Sequence, residues 1–302
     1  MRTSKSVPWR YALNYRIQYL LSKLGVLWFH LFGRRKISFV SYYGIGDCIM
    51  GTGVVAAWKK KYPHCDITVI TKHPEIYSGN KNVSTIERKF RFRNWPVAWL
   101  MYEHNDLVGD NKTVHIRQIM ASMVGINKTE DNNLFVEKSE MPFFYEEHLQ
   151  DKRYAVIQPA GGGWDRRRDW AEEKWSELIK RLESENYIVY IIGDQKGDLG
   201  GGIDRRGRQS LTESMLMIKY ATCFLGVNSF GEQAAAAFGV PSLIIYGPTH
   251  PGYSLNKGQL AIFGEDQIVS FEAASQLDYD HSSTDQVTVE GVYRCLKDRL
   301  GL

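Results

Sequence analysis

The amino-acid sequence predicts an α/β protein of two halves, each a parallel sheet covered by helices, with a basic amphipathic helical arm in front. Three observations carry this. An apolar strand at residues 37–42 runs into a glycine turn, a helix and a second strand at 67–71, a βαβ unit that implies a parallel sheet. The same grammar restarts at Tyr154, after a charged stretch at 137–153 that contains Pro142 and reads as a linker. In both halves glycines follow directly on a strand, the place where open α/β sheets meet their ligands.

The arm comes first. Up to Gly46 the chain has eight basic residues and no Asp or Glu; setting those eight aside turns the overall net charge of +4 into −4 for the remainder. Leu13, Ile17, Leu20, Leu21, Leu24, Leu27, Trp28, Leu31 and Phe32 recur at helical spacing. Arg10, Arg16 and Lys23 interrupt the run, so it is too short to span a bilayer. Residues 8–36 suit an anionic membrane surface; docking on the chain's own domain or on a second subunit fits the same pattern. No oligomeric state follows from the sequence. Basic charge confined to the arm speaks against a nucleic-acid groove, which needs a broader basic face. Cys48, Cys65, Cys223 and Cys295 have neither metal-ligand nor redox spacing, which fits reduced thiols in a cytoplasm. No cleavable signal peptide is expected.

The elements follow in order. Residues 44–46 read as a turn and 49–61 as a helix stopped by Pro63. Residues 82–86 start a further strand, and 114–124 are helical within an aromatic-rich stretch, 90–123, that has no clear period. In the second half, 154–158 is a strand, 161–163 a glycine loop, 172–183 an amphipathic helix and 187–192 a strand. Ser210 and Glu213 have capping-box spacing, so a helix runs from there to Tyr220. A strand at 222–226, a helix at 229–238, a strand at 242–246 and a closing helix at 289–300 complete the chain.

Three stretches carry chemistry. In "GIGDCIMGTG" the glycines Gly44 and Gly46 precede Asp47, at the start of a helix that favours an ionised carboxylate. Isoleucine stands where a dinucleotide fingerprint needs its third glycine, and no acidic ribose partner follows, which disfavours a nicotinamide dehydrogenase. In "IQPAGGGWDRRRDWAEEKW", Gly161, Gly162 and Gly163 lead into Arg166, Arg167 and Arg168, a backbone and guanidinium set suited to an anion. In "FLGVNSFGEQAAAAFGVP", Asn228 and Ser229 are good caps for the next helix, whose first free N–H groups at Ser229–Gly231 stabilise a phosphate. Asp278 and Asp280 have the spacing of a metal-binding pair but lie in a polar loop near the C-terminus and read as coincidence.

Together these three motifs, in this order, resemble the heptosyltransferase family of glycosyltransferases, family 9, over residues 37–71 and 154–251. The resemblance implies the GT-B fold, in which two Rossmann-like domains face each other across a cleft. It implies inverting, metal-independent transfer of a sugar from a nucleotide-sugar, often ADP-heptose, to the lipopolysaccharide core, at the inner face of the cytoplasmic membrane. Carried onto this sequence, Asp47 is the catalytic base, and Gly44 and Gly46 form the acceptor loop. Gly161, Gly162, Gly163, Arg166, Arg168, Asn228, Ser229, Phe230, Gly231 and Gln233 form the donor site. The family often has lysine where Arg168 stands, glycine where Phe230 stands, aspartate where Asn228 stands and histidine where Gln233 stands. These departures keep open a GT-B transferase with another donor or acceptor (capsule, protein or DNA), or a non-catalytic sugar-nucleotide or membrane-binding module. The implied division is an arm at 1–36, an acceptor-side domain at 37–145, a donor domain at 150–290 and a closing helix at 289–302.

Overall fold

The computed structural model describes residues 9–33, 35–102, 108–109, 112–137, 153–162, 165–194, 197–279 and 282–301. A long helix, α1 (Trp9–Leu31), leads into β1 (Lys36–Ser41), α2 (Ile45–Lys61), β2 (Asp66–Thr71), β3 (Thr85–Glu87) and β4 (Val97–Trp99). These strands form a parallel sheet in the order β3-β2-β1-β4. A short antiparallel pair, β5 (Val108–Gly109) with β6 (Lys112–Thr113), and α3 (Ile116–Met123) follow. The second sheet is built from β7 (Tyr154–Gln158), α4 (Glu172–Ser184), β8 (Ile188–Ile191), β9 (Ile203–Asp204), α5 (Leu211–Lys219), β10 (Cys223–Val227), α6 (Phe230–Phe238), β11 (Ser242–Ile245), β12 (Gln259–Phe263) and β13 (Gln267–Ser270). Its order is β13-β12-β11-β10-β7-β8-β9. The short α7 (Phe271–Ala274) and α8 (Val289–Leu300) end the chain.

Strand alternation sorts the second sheet's core into two layers. Tyr154 and Val156 of β7 join the cluster that includes α5, α6 and the first half, whereas Ala155 and Ile157 join Trp175, Leu178 and Leu296 under α4 and α8. All four cysteines are free and buried. Ser210 and Glu213 close their capping box, with Glu213 N–H donating to Ser210 Oγ at 3.2 Å and Ser210 N–H to Glu213 Oε2 at 2.6 Å.

The structure departs from the sequence reading at several elements. Helix α2 begins at Ile45, so Gly46 lies in its first turn and not in the preceding one; Asp47 Oδ2 accepts the Gly44 N–H at 3.1 Å and closes that turn early. Strand β4 lies in the stretch without a period, because three residues are too few to show alternation. Strands β12 and β13 went unread, and β13 runs antiparallel to β12 through a tight reversal with positive φ at Gly264 and Asp266. Most of the linker expected at 137–153 lies outside the described residues, as do Gly163 and Asp280.

Helix α1 docks on the chain's own sheet. Phe29 is buried against Trp58 and Tyr62, with ring centroids 5.0 Å away in each case. Ser22 Oγ accepts the Trp99 N–H at 2.9 Å. Gly25 lies directly on β4: a Cβ there would fall 1.9 Å from the Val97 carbonyl oxygen. Replacing a helical glycine by alanine in an open position gains about 1 kcal/mol. Here the clash dominates, and Gly25→Ala is expected to lose about 2 kcal/mol, read as a lower urea midpoint at unchanged slope.

Candidate active site

The carboxyl ends of β1, β7 and β10 converge where the amino ends of α2 and α6 meet. A Cβ on Gly46 would lie 3.5 Å from Gln233 Cγ and 3.6 Å from Phe230 Cα, so the two helices touch at their first turns. Asp47 sits at this junction, half-buried. Its Oδ2 accepts from Gly44 N–H at 3.1 Å and its Oδ1 from the Tyr102 hydroxyl at 3.1 Å. Burial raises its pKa to about 6, against the opposing pull of Tyr102, Gly44 and the nearby positive charge of Arg168.

Arg168 ends a short 3-10 turn, Arg166–Arg168, that Asp165 caps by accepting the Arg167 N–H. Its guanidinium points inward. Nη1 donates to the Asn228 carbonyl at 2.7 Å, and Nε to the Asp165 carbonyl at 3.3 Å. Gly161 is needed beneath it, since a Cβ there would come within 3.0 Å of Arg168 Nη2. Burial lowers the guanidinium's pKa from its ordinary value, while Asp165, Asp169 and Glu232 oppose that shift. The three arginines therefore separate: Arg168 is buried, Arg167 pairs with Asp165 at 2.6 Å, and Arg166 is exposed with Asp169 at 4.0 Å. Gly162 is exposed beside them.

The start of α6 is capped from inside the chain. Gln158, at the end of β7, accepts the Gly231 N–H through Oε1 at 3.0 Å and donates through Nε2 to Ser229 Oγ at 2.9 Å. Ser229 is the N-cap residue by position, but its hydroxyl accepts from Gln158 and makes no cap. Phe230, half-buried, opens the helix. Asn228 donates through Nδ2 to Glu232 Oε2 and to Ser254 Oγ, both at 2.7 Å. Gln233 is 2% exposed and fully engaged. It accepts from Asn132 and Asn256 at 2.9 and 3.0 Å and donates to the Ser254 carbonyl at 2.9 Å. Of the residues singled out in the sequence, Gly46, Asp47, Gly161, Arg168, Asn228 and Phe230 thus come together, while Gln233 belongs to a polar network behind them.

Three residues of the cluster escaped the sequence reading. Tyr102 lies in the stretch without a period. Gln158 looked like the polar end of a strand. Glu232 is fully buried; its Oε1 accepts from the Tyr246 hydroxyl at 2.5 Å. Burial raises its carboxyl from 4.5 to about 7, against hydrogen bonds from Tyr246 and Asn228 and the charge of Arg168. A signal for it existed: Ser229 and Glu232 have capping-box spacing, and an uncapped box leaves its Glu free to turn inward. Among the described residues no group of three or more His, Cys, Asp or Glu could hold a metal ion.

Glu232 has a measurable consequence. Between pH 4.5 and about 7 the folded chain keeps a proton on Glu232 that the unfolded chain has lost, so unfolding releases a proton and stability falls as pH rises. Glu232→Gln removes that dependence while keeping an acceptor for Asn228. Its stability relative to the parent chain is expected to rise across this window, as read by urea midpoints from pH 4.5 to 8. A constant difference would show that the carboxyl titrates normally.

Known proteins bear on this geometry. The family model described as "Glycosyltransferase family 9 (heptosyltransferase)" matches residues 85–269. Among curated proteins, none matches the chain. Three solved structures share the fold. A family 9 glycosyl transferase from Veillonella parvula has a TM-score of 0.69 at 14% identity, covering 88% of this chain and 97% of its own. The ADP-heptose lps heptosyltransferase II of E. coli has a TM-score of 0.68 at 14% identity, covering 88% and 98%. The iron-containing heptosyltransferase TibC, solved with ADP-D-beta-D-heptose, has a TM-score of 0.63 at 15% identity, covering 88% and 76%. The sheets are thus those of the GT-B heptosyltransferase structures, and the family model spans more than half of the sequence. The chain belongs to glycosyltransferase family 9 (heptosyltransferase).

Proposed function

We propose that this glycosyltransferase is inverting and metal-independent, and moves a heptose or related sugar from an ADP-linked donor to a lipopolysaccharide-core or other surface-glycan acceptor. One observation carries the reading: a carboxyl raised to about 6 faces a buried guanidinium across the junction of two helix amino ends. A base near neutrality and a fixed positive charge are what sugar transfer from a diphosphate requires. The related structures' donor, ADP-heptose, supports the choice of nucleotide.

In this mechanism Asp47 takes the proton of the acceptor hydroxyl. The oxygen attacks the anomeric carbon from the face opposite the diphosphate, and the carbon–oxygen bond to the diphosphate breaks with inversion. Arg168 faces the departing charge, and Arg166 and Gly162 line its approach. Asn228 holds Arg168 through its carbonyl. Because Gln158 already accepts the Gly231 N–H, the guanidinium carries more of the phosphate's charge than the start of α6 does. Tyr102 orients the base and withdraws charge from it. Residues 37–145 form the acceptor side and 150–290 the donor side. The protein works in the cytoplasm, peripherally at the inner membrane face through residues 8–36; no helix among the described residues is long and apolar enough to cross a membrane.

Three outcomes test this. Asp47→Asn is expected to lower kcat by about 10²- to 10⁴-fold with donor affinity unchanged. In the parent enzyme kcat/KM should rise with pH through about 6 as Asp47 loses its proton, and this limb should vanish in the variant. Turnover equal to the parent's in a folded Asp47→Asn chain would remove Asp47 from the mechanism. Arg168→Lys, which loses the planar fork, is expected to weaken ADP binding about tenfold in calorimetry.

A further inference from the structure

Helix α1 has two opposite faces. Ser22 and Gly25 meet β4, and Phe29 packs on Trp58 and Tyr62 at the carboxyl end of α2. Leu13, Ile17, Leu20, Leu24, Leu27 and Leu31 remain between 47% and 66% exposed. At roughly 100° per residue these six fall within an arc of about 80°, centred opposite the buried face. Arg16 and Lys23 lie along one side of the stripe, Lys23 Nζ donating to the Met123 carbonyl at 3.2 Å, and the described part of α1 holds no acidic residue.

A second apolar element stands beside it. Phe92 is 90% exposed and sits between Arg91 and Arg93. It is held out by a stiff 3-10 turn, Phe92–Asn94, in which the buried Asn94 accepts the Arg91 N–H at 2.6 Å. Trp95 joins this turn to α1 by an edge contact with Trp28, centroids 6.3 Å apart, and Phe32 stacks on Trp28 at 4.2 Å. The acid at this site, Glu87, is paired with Arg93 at 3.3 Å. Among the described residues none covers Phe92, and its flanking cations disfavour an apolar core as its destination.

We propose that the leucine stripe of α1 and the Phe90–Arg93 turn form one surface that seats on an anionic bilayer, with Phe92 as the inserted tip. This rests on the membrane reading of the arm and adds a second contact to it. Apolar groups rimmed by cations match a layer of acyl chains under anionic headgroups. The surface also places the acceptor. Tyr42 donates to the Arg88 carbonyl at 3.0 Å, and Phe90 packs on Trp99 at 6.0 Å. The turn is therefore anchored to the ends of β1 and β4, a few residues from Asp47 and Tyr102. An acceptor standing in the same bilayer would enter on this side.

Deleting the arm would strip Phe29 from the core, so exposed residues are the ones to change. Sedimentation with vesicles of phosphatidylglycerol and phosphatidylcholine should retain the full chain, and phosphatidylcholine alone should not. Phe92→Ser and the double change Leu20→Ser, Leu24→Ser should each weaken binding about tenfold or more, with melting temperatures unchanged. Loss in the leucine variant with full binding by Phe92→Ser would overturn the two-contact surface and leave the arm reading standing. Equal binding by all variants, or none by the parent chain, would overturn both. A dimer dispersed by the leucine changes, without vesicle binding, would assign the stripe to a second copy and likewise overturn the proposal.

Discussion

The amino ends of α2 and α6 must touch, and the rest of the site depends on it. Helix α2 can be surrounded this closely because it carries glycines where neighbours press. At Gly51 a Cβ would fall 2.7 Å from the Tyr77 hydroxyl, and at Gly53 it would fall 2.5 Å from the Glu130 carbonyl. The second contact seats the segment that carries Asn132. Asn132 then reaches Gln233 on α6, while Arg117 donates to both Asn132 and Asn256. This network is buried, so breaking any member strands its partners without water. It acts as a rigid gauge between the two sheets and sets the spacing between Asp47 and Arg168.

The electrostatics follow from that spacing. Two carboxyls, Asp47 and Glu232, and one guanidinium, Arg168, share a region of low water access. Burial pushes both acids toward neutrality, and Arg168 restrains each of them. The two acids differ in what surrounds them. Glu232 is enclosed by Tyr246, Asn228 and Ser254, whereas Asp47 is half-buried and has one hydroxyl and one backbone partner. Asp47 is therefore the more accessible of the two acids, while Glu232 is a fixed part of the frame around Asn228.

Much of this was legible in the sequence, and the pattern of what was not has physical causes. Long periodic elements read cleanly: α4, α8 and β7 fell where the apolar spacing put them. Asp47, Gly161 and Arg168 could be named because glycine loops at strand ends have a chemical reason. Three-residue β4 and the reversal into β13 carry too little pattern to read. Tyr102 and Gln158 meet their partners across more than fifty residues, which no local spacing announces, whereas Glu232 bonds nearby residues and showed only the capping-box spacing with Ser229. The arm was readable only as a choice among membrane, its own domain and a second subunit. The structure resolves half of it, because the helix has opposite faces and its buried face is the one with Gly25, Ser22 and Phe29, not the leucines.

That docking has a consequence for how the chain survives its own synthesis. Strand β4 closes one side of the first sheet, and an open sheet edge is a template for pairing with other chains. Helix α1 lies along that edge, taking the Trp99 N–H on Ser22 and pressing Gly25 onto Val97. Chains fold as they emerge, amino end first. The guard is therefore made before the edge it guards, and β4 meets its cover on leaving the ribosome rather than a neighbouring nascent strand.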